Sequence, residues 1–212
     1  MIWQTIAMLV VAYFCGSIPS GFLIIKAVTG KDIRQYGSGN IGMANAYRVG
    51  GAIPALLVLL GDALKGALPV VVAFYLLDMP DLSVVLIGLA AIIGHDFPIF
   101  LRGHGGKGIA TSLGVITALA WPVGLVGVVF WWIVILSTRY ASLASLTMLL
   151  VCSIIMPLYD YAFLPDDDHH YLFSVFVVAL FLVAIWQHRA NIDRLIHGKE
   201  LKLSSKTEET PS

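Results

Sequence analysis

Seven stretches of the chain carry little or no charge: 2–25, 52–77, 82–101, 108–120, 121–138, 142–164 and 170–187. None alternates as a half-buried strand would. Stretches apolar on every side are read as helices that lie in a core or in lipid. A helix needs about 20 residues to cross the hydrocarbon of a bilayer. At about 1.5 Å per residue, 108–138 extends only about 47 Å. Two full crossings of a ~30 Å core need about 60 Å. The pattern therefore predicts an all-α, polytopic membrane helical bundle of about seven transmembrane helices. It includes a short or broken pair at 108–138, turning at Trp121-Pro122; five spans is the rival count. Met1 to Ile25 has no basic leader and no small-residue cleavage site, so it reads as a retained span.

Composition points the same way. Of the 212 residues, 58% are hydrophobic and 12% charged, against about 25% charged in an average soluble domain. That leaves too little polar surface for a soluble globule, a disordered chain or a nucleic-acid binder working through bulk positive charge. Lys+Arg and Asp+Glu are both 13, so only the placement of charge is informative. Lys26, Lys31, Arg34 and Arg48 crowd the first connection. Arg102 and Lys107 occupy the third, Arg139 the fifth, and Arg189, Arg194, Lys199 and Lys202 follow the last span. Acids gather instead at Asp78–Asp81 and at Pro165-Asp-Asp-Asp-His-His170. Basic connections belong on the cytoplasmic side, which puts the N-terminus outside and the C-terminus inside. One transmembrane domain over 1–203 and a polar, disordered cytoplasmic tail at 204–212 are expected. Cys15 and Cys152 lie in apolar runs with no partner spacing and read as buried free thiols, without disulfide or zinc.

Candidate chemistry lies in three polar clusters. In the first, Gly37, Gly39 and Gly42 allow tight turns that aim N–H groups into one concavity. Ser38 and Asn40 add short donors, and Arg48 can fork onto a phosphate; a flexible loop is the plainer reading. In the second, Gly105-Gly106-Lys107-Gly108 opens a helix, so free amides, dipole and lysine favour an anion. A glycine turn with a snorkelling lysine is the alternative. His95 and Asp96, just before it, are either a buried structural pair or part of the site. In the third, His188, Asn191 and Leu195 share one helical face, so His188 and Asn191 can address one site. His188 and Asp193 point about 140° apart on a helix and form no dyad. Asp62 and Lys65 share a face of the second span, where they neutralise each other or touch substrate. Ser142 caps the next helix or contacts substrate. Under the charge rule the three clusters fall on one side, implying a phosphate-bearing ligand taken from the cytoplasm beside hydrocarbon. Lipid head-group chemistry is the first reading, and a transporter or channel for a phosphate-bearing anion the second.

The ordered stretches Gly16-Ser-Ile-Pro-Ser-Gly21, Gly37-Ser-Gly-Asn-Ile-Gly42 with Asn45 and Arg48, and Asp62-Ala-Leu-Lys-Gly66 carry a resemblance. So do Gly94-His, Phe97-Pro98, Gly105-Gly-Lys-Gly-Ile-Ala-Thr111, Ser142-Leu-Ala-Ser145, and His188-Arg-Ala-Asn191 with Arg194 and Gly198-Lys-Glu200. Together they resemble the bacterial acyl-phosphate:glycerol-3-phosphate acyltransferase (PlsY) family, over nearly the whole chain. Met43 and the acidic insert at 165–170 depart from it. The resemblance implies an inner-membrane enzyme that makes 1-acyl-glycerol-3-phosphate from glycerol 3-phosphate and a fatty acyl phosphate, without cofactor or metal. It implies functional roles for Ser38, Arg48, His188 and Asn191, and glycerol 3-phosphate binding at Gly105–Gly108. Chemically, an acyl phosphate is a mixed anhydride with a good leaving group, so charge stabilisation and positioning suffice. Arg48, Lys107 and the Gly105–Gly108 amides are read as phosphate ligands, and Ser38 and Asn40 as positioning groups. Asn45 and Ser142 are further substrate-binding candidates. His188 orients a phosphate or takes the hydroxyl proton.

Overall fold

The computed structural model describes residues 1–163 and 171–205. The acidic insert at 165–170 and the tail from 206 lie outside the described residues. Ten α-helices follow one another within them: α1 Ile2–Ser17, α2 Ser20–Thr29, α3 Met43–Gly50, α4 Ala52–Val71, α5 Asp81–Asp96, α6 Ile109–Leu119, α7 Trp121–Thr138, α8 Ala141–Phe163, α9 Tyr171–Gln187 and α10 Arg189–Ile196. α1 and α2 form one long apolar rod broken at Ile18-Pro19, where proline holds the preceding residue extended. After Pro69, α4 runs into a wider π turn over Val72–Leu76, a distortion that proline within a helix favours.

Five segments are long and apolar enough to cross a membrane: Ile2–Thr29, Ala52–Leu76, Asp81–Leu101, Trp121–Thr138 and Ala141–Phe163. The α9–α10 pair, bent by 62°, supplies a sixth. α6 is the seventh apolar helix and has only 11 residues, about 16 Å of rise against a ~30 Å core. It is the short partner expected within 108–138. The break falls at Ala120, with Pro122 in the first turn of α7. The chain is thus an all-α, polytopic membrane bundle. Large apolar side chains such as Ile53, Leu64, Leu68, Ile133 and Leu136 face outward, as lipid-exposed surfaces require.

α1 lies along α5, α4 along α6, and α8 between α7 and α9. The main core joins them through Val84, Ile87, Val115, Met148 and Phe176. A smaller cluster, including Ile25, Ile33, Ile41, Ala46 and Val58, seats the connection between α2 and α4. Glycines let the backbones touch. A side chain at Gly16 would overlap the Ala91 carbonyl, and one at Gly94 the Tyr13 carbonyl. The α4–α6 crossing repeats the device, with Gly66 against the Thr111 carbonyl and Gly114 against that of Ala63. Such contact is a principal attraction between helices in lipid. Gly114→Val is therefore expected to destabilise the bundle by about 1–3 kcal/mol. The measurement is the thermal midpoint in detergent, with lipid-facing Leu64→Val as the control that leaves it unchanged.

Candidate functional site

Folding brings the three polar clusters onto one cavity of about 260 Å³. Ser38, Asn40, Asn45 and Arg48 line it from the first cluster, Lys107 from the second, and His188 and Asn191 from the third; Ser142 joins them. Apolar side chains line it too, among them Leu113 of α6, Val128 and Trp131 of α7 and Met148 of α8. An open depression sharing Ser38 and Asn40 reaches outward past Gln35, His104 and Gly105.

The first loop is held by Asn45, which is 1% exposed. Its Nδ2 donates to the Ile33 and Tyr36 carbonyls at 3.1 and 2.9 Å, and its Oδ1 accepts Ser38 N–H at 3.0 Å. Asn45 shapes the concavity and has its polar atoms engaged by the loop itself. Asn40 Oδ1 accepts the Gly42 amide at 2.8 Å, just ahead of α3. Arg48, at the end of α3, donates to the carbonyls of Leu201 and Lys202, both at 3.2 Å. The guanidinium thereby ties the C-terminal segment over the cavity.

The second loop differs from its sequence reading in one respect. Gly105 N donates to the Asp96 carbonyl at 3.2 Å and Gly106 N to that of His95 at 3.1 Å. Those two amides are committed to the end of α5. Glycine is needed there because a side chain at either position would strike the backbone or imidazole of His95. Gly108 has φ +67°, in the left-handed region, and turns the chain into α6. Lys107 projects between these glycines, its ammonium hydrogen-bonded to Asn191 Oδ1. Burial, and then the Arg194 charge, push its pKa down to about 8.

In the third cluster, α10 begins only at Arg189, and His188 stands at the bend itself as its N-terminal boundary. The single helical face expected for His188 and Asn191 is thus broken, yet both still line the cavity. His188 Nδ1 lies 2.9 Å from the Ala184 carbonyl. A carbonyl can only accept, so Nδ1 carries the proton and Nε2 is left to act as acceptor. Ser142, in the first turn of α8, caps nothing; its Oγ donates to Glu200 Oε1 at 2.7 Å. Asn191 Nδ2 donates to the same oxygen at 2.6 Å, and Arg194 Nε to Oε2 at 2.8 Å. Burial alone would raise the Glu200 carboxyl, but these donors outweigh it and hold its pKa below the usual value.

Glu200 and Arg194 therefore belong to the site, though sequence reasoning gave them no role. Their position beside the His188–Asn191 cluster was the available signal. Asp62, read as an ion-pair partner or a substrate contact, and His95, read as structural or part of the site, also border the cavity. Among the described residues, no three His, Cys, Asp or Glu side chains are gathered as a metal ion would need. Cys15 and Cys152 are both free thiols.

The chain matches the model of the glycerol-3-phosphate acyltransferase family over residues 6–198. A glycerol-3-phosphate acyltransferase of Prochlorococcus marinus (strain MIT 9301) is 42% identical over 201 residues, 95% of this chain and 98% of the relative. One from Thermotoga petrophila is 40% identical over 195 residues, 92% of this chain and 94% of the relative. Among solved structures, the crystal structure of PlsY, an integral membrane glycerol 3-phosphate acyltransferase, superposes in its glycerol 3-phosphate form. The TM-score is 0.82 at 34% identity, over 94% of this chain and 95% of the other. Its lysophosphatidic acid form gives 0.80 at 33% identity, with the same coverage.

The Asn45 geometry yields a test of its own. Asn45→Ala strips partners from the Ile33 and Tyr36 carbonyls and from the Ser38 amide. It is expected to cost about 1–3 kcal/mol of stability, seen as a lower thermal midpoint and faster proteolysis within the 31–42 loop.

Proposed function

The chain belongs to the glycerol-3-phosphate acyltransferase family, and from that premise we propose how its cavity carries out acyl transfer. The enzyme moves a fatty acyl group from acyl phosphate to glycerol 3-phosphate, giving lysophosphatidic acid and phosphate. One observation carries the assignment of roles. Residues from three distant clusters share one cavity with apolar side chains of α6, α7 and α8. Such a site can hold phosphate groups at one end and an acyl chain at the other. A transporter reading has no comparable support.

In the proposed arrangement Lys107 and Arg48 supply positive charge to the substrate phosphates, and Arg194 adds to it from α10. Ser38 and Asn40 position the reactants at the mouth shared with the outer depression, and Ser142 and Asn191 do so from the Glu200 side. The glycerol hydroxyl attacks the acyl carbon, a new C–O ester bond forms, and the bond to the phosphate oxygen breaks. The phosphate leaves with the electron pair. The hydroxyl proton goes to His188 Nε2, the uncommitted ring nitrogen, or to the phosphate itself. Effective transfer needs the reacting atoms held about 3–3.5 Å apart, with fixed donors around the developing negative charge. The acyl chain enters along Leu113, Val128, Trp131 and Met148. The distribution of Lys and Arg supports an outside N-terminus, a cytoplasmic C-terminus and a cytoplasmic mouth, in the bacterial inner membrane.

Purified protein in liposomes is expected to release phosphate from acyl phosphate only when glycerol 3-phosphate is present; no release would sink the reading. With a Lys107 pKa of about 8, its charge is present below that pH and lost above it. The KM for glycerol 3-phosphate should therefore rise from pH 7 to 9 and the KM for acyl phosphate should change less. Lys107→Arg, which stays charged, should flatten the rise. His188→Ala is expected to lower kcat by about 100-fold or more; a full rate would remove His188 from the chemistry.

A further inference from the structure

Lys107 acts at the tip of a loop, and three buried ionisable residues lie beneath that loop. Asp62 and Lys65 on α4 are 1% and 5% exposed and form an ion pair of 2.7 Å. Lys65 Nζ also donates to the Ile18 carbonyl at 2.8 Å, the carbonyl at the break between α1 and α2. On the last turn of α5, His95 is 3% exposed, and its Nδ1 stands 3.5 Å from Asp62 Oδ1.

The other edge of His95 meets the loop. Gly106 lies so close that any side chain there would strike His95 Nε2. The amides of Gly106 and Gly105 donate to the His95 and Asp96 carbonyls. Gly108 closes over the Asp96 carboxylate, which accepts Gln187 Nε2 at 2.6 Å from α9. A contact path thus runs from the α4 ion pair through the imidazole to the backbone that bears Lys107.

Two opposite charges one helical turn apart neutralise each other. Their mutual neutralisation does not account for a buried imidazole between the pair and the glycine loop. Nor does it account for glycine at the one position where the imidazole edge leaves no room for Cβ. We propose that the Asp62–Lys65 pair orients His95, and that His95 is a positioning residue. It supports the Gly105–Gly108 loop so that the Lys107 ammonium meets the phosphate of glycerol 3-phosphate. The inference rests on the assignment of Lys107 to that phosphate, and His95 acts through the loop.

The test is steady-state kinetics of the full-length protein, with the two substrates varied separately. His95→Asn keeps a polar group facing Asp62 but gives up the imidazole edge under Gly106. It is expected to raise the KM for glycerol 3-phosphate about tenfold, with kcat and the KM for acyl phosphate within about twofold. A merely structural role lowers the active fraction, and so the rate, without moving KM. An unchanged KM for glycerol 3-phosphate overturns the proposal. In a Lys107→Ala background, His95→Asn should add little further rise, because both changes remove the same contact; full additivity overturns it. Asp62→Asn with Lys65→Leu removes both charges together. A glycerol 3-phosphate defect that persists in this double variant supports the orienting role, and a wild-type KM overturns it. For any variant with too little turnover, the thermal shift on adding glycerol 3-phosphate is read instead. A lost shift supports the proposal and a full shift overturns it. Wild-type protein that turns over neither substrate would instead defeat the acyltransferase assignment on which the inference rests.

Discussion

Between helices already surrounded by lipid tails, apolar side chains gain little by meeting, so the bundle depends on how closely its backbones approach. The glycine contacts supply that approach. Gly16 and Gly94 bring α1 and α5 together, and Gly66 and Gly114 do so for α4 and α6. These crossings fix elements that line the cavity. α4 bears Asp62 and Lys65, α5 ends in His95 and Asp96, and α6 begins just past Lys107. A shift in either crossing would move the loop at Gly105–Gly108 relative to α10 and the Glu200 segment. Site geometry and helix packing are therefore one problem in this protein.

Charge is the second constraint, and it works through pairing. Lys65 has Asp62, and Arg194 has Glu200. Glu200 also gathers Ser142 and Asn191, so one carboxylate links α8, α10 and the C-terminal segment. Arg48 closes the ring by gripping the carbonyls on either side of the Leu201–Lys202 bond. The cations that line the cavity are thereby held apart. Arg48, Lys107 and Arg194 crowded without an anion among them would repel one another in a partly dry cavity.

Much of this was legible in the residue order because it is local. The lack of charge over 108–138 marked a pair too short for two crossings, and α6 is the short member. The three-residue spacing of Asp62 and Lys65 placed them on one face, and they pair there. The glycine-lysine run marked a tight loop opening a helix. What stayed hidden depends on distance along the chain. Nothing in Ser142 points to Glu200, 58 positions away. The amides of Gly105 and Gly106 looked available for an anion until α5 ended directly against them. His188 and Asn191 line one cavity, but His188 stands at a helix break, which periodicity cannot show.

The depth of the site follows from the same elements. Asp62 lies ten residues beyond the start of α4 at Ala52, about 15 Å along the helix axis. The α4–α6 contacts place Thr111 and Gly114 beside Gly66 and Ala63, so α6 starts close to the level of Asp62. The connection from His95 to Gly108 thus begins and ends inside the bundle. Irregular backbone at that depth is tolerable only where it lines a polar cavity, and this loop does so beside Lys107. A longer α6 would fill the space the loop occupies and carry Lys107 away from Leu113 and Met148, with which it lines the cavity. The short helix is therefore the geometric condition under which Lys107 and these apolar side chains line one cavity.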